Sequence, residues 1–358
     1  MIKNIIFNFL NTASKIKERE VKAVVFSFIF VVVLMSAYYI LRPVRDAMAS
    51  DWTDAEVSWL WTLNFFISTG IVALYGIMVS KFRFRLLVPV MYGIFAGSFI
   101  IFYVLGSIYA DQILIDKAFY VWVSVFSLFH ISVFWSFMSE LFSKEQSSRL
   151  FGIIAVGASV GGLIGPSITA FFSVSLGTDK LMLIASMMLL IPIPIIFYLQ
   201  SLKTKELNNE VLSTPISNQS IGGNPLAGFK MFFSNPYLLS IGLFIFLYTG
   251  ISSFVYFELK NLLSDFTRPE RSVIWAQMDL AVNILAISTG LFATGRIVTK
   301  FGMPATIAMV PIMICIGLLV LAISPLLGVV MILQIVRRAG NYAVTRPARE
   351  MLFTLVNQ

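Results

Sequence analysis

The chain has 358 residues, of which 58% are hydrophobic and only 12% are charged. Together with a mean hydropathy of +0.88, this composition excludes a soluble globular domain and indicates a polytopic membrane protein. The net charge of +8 does not require a nucleic acid as partner, because basic residues collect at the inner face of membrane proteins. The lone cysteine, Cys315, lies inside an apolar segment, so the sequence predicts no disulfide.

Ten segments are apolar over at least the length that a helix needs to cross a bilayer, about 20 residues. They are too long for the strands of a membrane barrel, so the sequence predicts an all-α, polytopic membrane protein. We number the predicted spans one to ten: 22–48, 55–80, 86–107, 118–142, 150–174, 179–200, 236–259, 272–295, 302–323 and 326–347.

The segment before the first span, residues 1–20, is not a secretory signal. Its apolar core is short, and a charged tract at 15–20 follows where a small-residue cleavage site would stand. We predict an amphipathic helix on the cytoplasmic membrane surface.

The first span carries charges near its end, in the stretch Tyr38–Ala47. Arg42, Arg45 and Asp46 lie on a helix that the following residues can continue. A charge within the membrane costs about 2.5–3.5 kcal/mol on insertion scales and usually faces a polar cavity or a partner. Either the arginines face such a cavity, which we favour, or they extend to the lipid headgroups.

The basic residues are distributed unevenly between the two sides of the predicted bundle. With the N-terminus inside, only seven of the 26 lysines and arginines fall toward the outside: Arg42, Arg45, Lys117, Lys180, Lys260, Arg268 and Arg271. The positive-inside rule therefore predicts a multi-pass protein of the cell (inner) membrane with a cytoplasmic N-terminus.

A polar stretch at 201–235, rich in Ser, Asn, Gly and Pro, cannot form a packed core and is predicted to be a cytoplasmic central loop. It separates a six-helix bundle at 21–200 from four helices at 236–358. Gly76 and Lys81, at the end of span two, recur as Gly295 and Lys300 at the end of span eight, an offset of 295 − 76 = 219. Repeated halves are common in transporters, although chance similarity is the alternative.

The repeat predicts six spans in the second half, whereas the sequence ends after span ten. A fragment that lacks spans eleven and twelve is favoured over a genuine ten-span protein. In span five, Gly157, Gly161 and Gly165 recur every four residues. Small residues at this spacing let helices approach closely in lipid, so we interpret them as a packing surface rather than a binding site.

Two helix bundles, a long central loop and Gly/basic turns after spans two and eight resemble the major facilitator superfamily. Within it, 39–47 resembles the Leu-Arg-x-x-Lys-Asp-Ala signature in the first span of the bacterial and plastid ATP/ADP translocases. Segments 134–140, 149–152 and 347–351 are similar to that family's Phe-Trp-x-Phe-x-x-Glu, Arg-Phe-x-Gly and Asp-Pro-Thr-Lys-Glu-Met blocks. The resemblance implies a major-facilitator-type helix bundle that exchanges nucleotides.

The resemblance also implies substrate contacts on spans one, four, seven and ten. The matching positions are Arg45, Glu140 and Arg349, with Glu258 and Lys260 near the span-seven positions, where Tyr256 replaces the acidic residue. Tyr39, Arg42 and Asp46 belong to the same span-one block and Arg346 to the span-ten region, and we include them in the predicted substrate site.

The chemistry of an anionic solute independently indicates arginine as the binding residue. Such a solute needs permanent positive charge in a dehydrated cavity, and arginine supplies it with a fork that matches phosphate and carboxylate oxygens. The arginines at suitable positions are Arg42, Arg45, Arg337, Arg338, Arg346 and Arg349. Glu140 can neutralise an arginine while the site is empty, so that substrate binding exchanges one ion pair for another.

Span eight carries Asp279 and, four residues later on the same helical face, Asn283. We predict a coupling role for this pair, with Asp279 as the proton carrier; an interhelical polar clamp and a bystander are the alternatives. His130 and Trp135 in span four, and the tyrosines at 38–39, are interpreted as packing residues rather than as a proton relay or base-stacking platform.

The chain has no Gly-x-x-x-x-Gly-Lys phosphate loop and no His/Cys/carboxylate cluster at metal-ligand spacing, so we expect neither an enzyme nor a bound cofactor or metal. The predicted function is a secondary active transporter for an organic anion such as a nucleotide or other phosphorylated metabolite. A receptor or scaffold, or a transporter of an unrelated small solute, is the alternative. The expected partners are the solute and the lipid bilayer, with no nucleic acid polymer, and we expect a monomer.

Overall fold

The computed structural model describes residues 16–81, 84–109, 112–207, 233–292 and 294–353. This part of the chain is helical and contains no strand. Most of the predicted amphipathic segment 1–20 and of the predicted central loop 201–235 lies outside the described residues. The helices are α1 (Val21–Met48), α2 (Asp54–Lys81), α3 (Phe84–Ile108), α4 (Ile113–Leu141), α5 (Lys144–Leu176), α6 (Thr178–Leu190), α7 (Pro192–Lys205), α8 (Pro236–Leu262), α9 (Arg268–Phe292), α10 (Thr294–Ile323), α11 (Leu327–Gly340) and α12 (Arg346–Phe353).

Nine helical segments in the described part of the chain are long and apolar enough to cross a membrane. They correspond to predicted spans one to nine, with α6 and α7 together forming span six. The all-α, polytopic fold predicted from the sequence is therefore confirmed. Span ten differs, because its α-helical part ends at Gly340 and a π-helical segment, Asn341–Thr345, connects α11 to α12. It also carries three arginines, Arg337, Arg338 and Arg346, which reduce its apolar length.

The chain divides into two compact units. The first unit comprises Met1–Ser213 and Phe266–Leu280, and the second comprises Thr214–Asp265 and Ala281–Gln358. The beginning of α9 thus groups with the first unit, whereas the sequence assigned all of 236–358 to one bundle. Ion pairs from α9 to α1 and α4, described below, account for this difference.

In the first unit, α1 packs against α4, α5, α6 and α7. Its contact with α5 depends on the predicted glycines. A Cβ on Gly161 would lie 2.5 Å from the carbonyl oxygen of Val32, and one on Gly165 would lie 2.5 Å from that of Ser36. No side chain fits at that distance, so the glycines bring the two backbones together. The packing interpretation of this ladder is confirmed.

Aromatic side chains fill the remaining space around α1. The ring of Phe30 lies 4.9 Å from that of Phe134 and 5.4 Å from that of Tyr92, measured between centroids. His130 is buried, and its ring stacks on Tyr38 at 4.3 Å. These contacts agree with the interpretation of the span-four aromatic residues as packing residues.

In the second unit, α10 and α11 approach each other at Gly317 and Gly340. A Cβ on Gly340 would lie 2.9 Å from a methyl carbon of Val310, and one on Gly317 would collide with Leu333. Gly302, with φ of 76°, breaks α10 near its start. A residue with a side chain rarely adopts this left-handed conformation, so glycine permits the kink.

Candidate functional site

The charged residues near the end of α1 form a network. Asp46 is only 2% exposed, and both arginines reach its carboxylate: Arg45 Nη2 lies 2.6 Å from Oδ1, and Arg42 Nε lies 3.7 Å from Oδ2. Residues 42 and 46 are one helical turn apart, so this contact follows from local sequence. The two arginine side chains are each 15% exposed and turn toward a buried carboxylate.

Two residues of α4 also contact Arg45. Its Nη1 donates a hydrogen bond to Ser124 Oγ at 3.3 Å, and its guanidinium carbon lies 5.5 Å from the ring centroid of Tyr120. Residues 120 and 124 share one face of α4. The guanidinium therefore has an ionic, a polar and an aromatic contact.

Asp279 of α9 extends the network through Arg42. Its carboxylate oxygen Oδ1 lies 3.7 Å from Arg42 Nη1, and the residue is 1% exposed. The order Asp279–Arg42–Asp46–Arg45 alternates in sign, so two buried negative charges balance two positive ones. A balanced group of this kind is far less costly to bury than a single charge. Asn283, one turn further along α9, is half-buried.

A second network connects the end of α1 with the beginnings of α4 and α9. Arg268 Nε lies 2.5 Å from Asp51 Oδ2, and its Nη2 lies 2.7 Å from Asp116 Oδ2. Arg271 Nη1 lies 2.6 Å from the other oxygen of Asp51. From the sequence, Arg268 and Arg271 are only two of the seven outward basic residues. Asp51 and Arg271 are 220 positions apart. The only sequence signal for their pairing is that two arginines lie in outer segments that also contain several acidic residues.

Glu140 does not contact Arg45. Its Oε1 accepts a hydrogen bond from Lys203 Nζ at 2.8 Å, and its side chain is 39% exposed at the end of α4. Arg45 contacts the same helix at Ser124, 140 − 124 = 16 residues earlier, or about 24 Å along the axis. In this conformation Glu140 therefore forms its ion pair with Lys203, and not with Arg45 as the predicted ion-pair exchange requires.

The other predicted site residues are spread over several helices. Tyr39 is buried where α1 meets α5, beside Gly165. On α8, Lys260 is buried and donates to the side chain of Asn261 at 2.7 Å, and Glu258 is half-buried. On α12, Arg349 is half-buried and Arg346 is exposed.

The second unit also buries Arg337 and Arg338 of α11. Arg337 Nε and Nη2 donate to Gln334 Oε1 at 3.1 and 2.7 Å, and Nη1 donates to Ser252 Oγ at 2.5 Å. The ring of Tyr248 lies 6.0 Å from the guanidinium carbon, and its hydroxyl donates to the Arg337 carbonyl at 3.2 Å. Within the described residues, no carboxylate forms an ion pair with Arg337.

Among the residues that the structure describes, no group of three or more His, Cys, Asp and Glu side chains is arranged to hold a metal ion. Buried charges inside the apolar helices include Asp46, Asp279, Lys260 and Arg337, a pattern typical of solute pathways. Fold and site together define a polytopic helical membrane protein with charged residues inside its spans.

The family follows from comparison with known proteins. The Major Facilitator Superfamily model matches residues 26–347, and the chain belongs to this superfamily. The superfamily predicted from the sequence is therefore confirmed. The narrower resemblance to the ATP/ADP translocases stays a prediction.

Two known proteins are similar to this chain. The crystal structure of a bacterial homologue of the human lysosomal transporter Spinster, in an inward-facing and unoccupied conformation, superposes with a TM-score of 0.54 at 15% identity, over 93% of this chain and 75% of that one. At this identity the likeness concerns the fold alone. The agnestins efflux protein of Paecilomyces divaricatus is 29% identical over 122 residues, which are 34% of this chain and 27% of that protein. The chain thus matches about a quarter of the length of this curated relative.

Proposed function

We propose that the protein is a secondary active transporter of an organic anion, such as a nucleotide or another phosphorylated metabolite, working by exchange or by proton coupling. The superfamily supports the transporter class. The observation that carries the anionic substrate is the buried network of Arg42, Arg45, Asp46 and Asp279. Its guanidinium groups offer the fork geometry that suits phosphate and carboxylate oxygens.

In this proposal the substrate replaces a carboxylate of the protein. Asp46 neutralises Arg45 while no substrate is present, so Arg45 is not left as an isolated buried charge. An incoming anion takes over one guanidinium, and Asp46 retains its contact with Arg42, 3.7 Å away. The number of charges without a partner stays low throughout, which limits the cost of each step in a low-dielectric setting.

Asp279 is the proposed site of proton coupling. Protonation removes its negative charge and weakens the attraction to Arg42, which then becomes available to an anion. Deprotonation restores the ion pair and favours release. The proposal also places the N-terminus in the cytoplasm and the protein in the inner membrane, in agreement with the distribution of basic residues in the sequence.

Flux measurements in reconstituted vesicles test the proposal. Vesicles are loaded with unlabelled ATP, ADP, phosphate, glucose 6-phosphate or succinate, and uptake of the labelled solute is followed with and without a pH gradient. We expect uptake of at least one anion above that of protein-free vesicles. Acceleration by internal anion indicates exchange; acceleration by a pH gradient that Asp279→Asn removes indicates proton coupling.

The proposal fails if folded, correctly inserted protein moves none of these anions under either condition. A receptor or scaffold, or a carrier of an unrelated solute, then becomes the better explanation. Uptake of nucleotides alone favours the translocase-like substrate, whereas uptake of phosphate or succinate without nucleotides retains the anion class and excludes the nucleotide.

A further inference from the structure

We propose that Arg337, held in place by Ser252, Gln334 and Tyr248, binds an oxyanion group of the substrate. This inference rests on the function proposed above and concerns an anion contact that lies wholly within the second unit. The group that it recognises is a carboxylate or a phosphate, because both present two oxygens to one guanidinium.

Burial of the Arg337 side chain carries a large free-energy cost. Arg337 is 8% exposed, it lies in predicted span ten, and its partners in the described part of the chain are an amide, a hydroxyl and an aromatic ring. A buried charge without a counter-charge costs several kcal/mol, and charges inside membrane segments normally have partners. A bound anion supplies the missing negative charge.

The Arg337 guanidinium has more N–H donors than its protein partners use. An arginine side chain has five N–H groups. Arg337 uses three of them, one each on Nε and Nη2 for Gln334 and one on Nη1 for Ser252. One N–H therefore remains on each terminal nitrogen. These two N–H groups are available to the oxygens of a carboxylate or phosphate.

The guanidinium of Arg337 is already held in place by its neighbours. Gln334 lies nearly one turn earlier on α11, and Ser252 and Tyr248 lie one turn apart on α8, so three side chains from two helices fix its position. A preorganised side chain loses less conformational entropy when a ligand binds. The π-helical segment Asn341–Thr345 begins one turn after Arg337, and such segments are frequent at functional sites.

The charge of the second unit also favours an anion. By sequence, it has eight basic residues, Lys230, Lys260, Arg296, Lys300, Arg337, Arg338, Arg346 and Arg349, against three acidic ones, Glu258, Asp265 and Glu350. An excess of one sign raises the local concentration of ligands of the opposite sign. Arg338, adjacent in sequence and also buried, adds to this field.

Binding measurements on the purified full-length chain test the inference. The unfolding midpoint is followed while ADP, inorganic phosphate or succinate is titrated, for the wild type, Arg337→Gln, Arg337→Lys and Arg296→Gln. Arg296 is an exposed arginine of the same unit and serves as the matched control. We expect at least one anion to stabilise the wild type and Arg296→Gln at equal concentrations. ADP and phosphate indicate a phosphate site, and succinate indicates a carboxylate site.

The Arg337 variants are expected to bind the same anion more weakly. Loss of two charge-assisted hydrogen bonds corresponds to about 100-fold or more in half-saturating concentration for Arg337→Gln. Arg337→Lys keeps the charge without the fork and should fall between this variant and the wild type. An arginine that only joins α11 to α8 would lower the midpoint without changing the half-saturating concentration.

The outcomes separate this inference from the function on which it rests. Unchanged affinity in Arg337→Gln, or in Arg337→Lys if the former does not fold, overturns the Arg337 site while anion binding by the wild type still stands. If none of the three anions stabilises the wild type and vesicle uptake is also absent, both the proposed function and this inference fail.

Discussion

In the first unit, Arg42 and Arg45 contact the carboxylates of Asp46 and Asp279, whereas in the second unit Arg337 contacts an amide, a hydroxyl and an aromatic ring. All three guanidinium groups are largely buried. A neutralised arginine must give up a carboxylate before it binds a ligand, and it can therefore act as a switch. An arginine among neutral partners has binding capacity from the start. The count of arginines in a span does not distinguish these two states.

The largest effect is expected at Arg45. We predict that Arg45→Ala lowers anion uptake by about 100-fold or more, because a bidentate charged contact is lost, while membrane insertion is preserved. Initial uptake rates in vesicles measure the effect, with membrane yield and gel-filtration profile as controls for folding. Uptake close to that of the wild type would contradict substrate binding by Arg45 and would favour the alternative that Arg45 contacts the lipid headgroups.

Stability measurements test the difference between the two kinds of buried arginine. Asp279→Ala removes one partner of a buried pair, and we expect it to destabilise the protein by about 3–5 kcal/mol. The double variant Arg42→Met/Asp279→Leu should recover most of this loss, because it leaves no charge unpaired. Arg337→Met, which strands no carboxylate, should cost clearly less than Asp279→Ala.

The unfolding midpoint in detergent, measured for all variants under the same conditions, makes this comparison. Equal losses for Asp279→Ala and Arg337→Met would show that the neutral partners of Arg337 matter as much as an ion pair, and the contrast between the units would disappear.

A smaller effect is expected where α1 is held against α5. Gly161→Ala places a methyl group 2.5 Å from the Val32 carbonyl oxygen and 2.7 Å from Met35 Cβ, which should cost about 1–3 kcal/mol. It also displaces α1, which carries the paired arginines. Gly152→Ala on the same helix meets no atom within 4 Å and should be neutral or slightly stabilising. The unfolding midpoints of the two variants provide the test, and equal midpoints would contradict it.

Much of the fold was predictable because it depends on local properties. A run of about 20 apolar residues determines a spanning helix by itself, so spans one to nine agree with the structure. The packing role of the α5 glycines was predicted correctly from their spacing alone. Span ten was less predictable, because its arginines and its π-helical turn at Asn341–Thr345 interrupt the regular pattern.

The candidate site was predictable only in part. The Arg42–Asp46 contact joins residues one turn apart and could be expected from the sequence. The pairing of Glu140 with Lys203, in contrast, joins the ends of two helices, and the order of residues along α4 does not identify the neighbouring helix. The family resemblance identified Glu140 and Arg45 as candidate site residues, but it contains no information on the distance between them.

The sequence by itself determined the helical, membrane-spanning class, the close contact surface of α5 and the charge cluster of α1, because each depends on composition or on spacing within one helix. Only the tertiary structure decided which charges meet. Asp279 lies against Arg42, Arg268 bridges Asp51 and Asp116, and Arg337 donates a hydrogen bond to Ser252 of another helix. Such contacts join positions far apart in the chain, and helix packing alone brings them within the few ångströms over which charges pair.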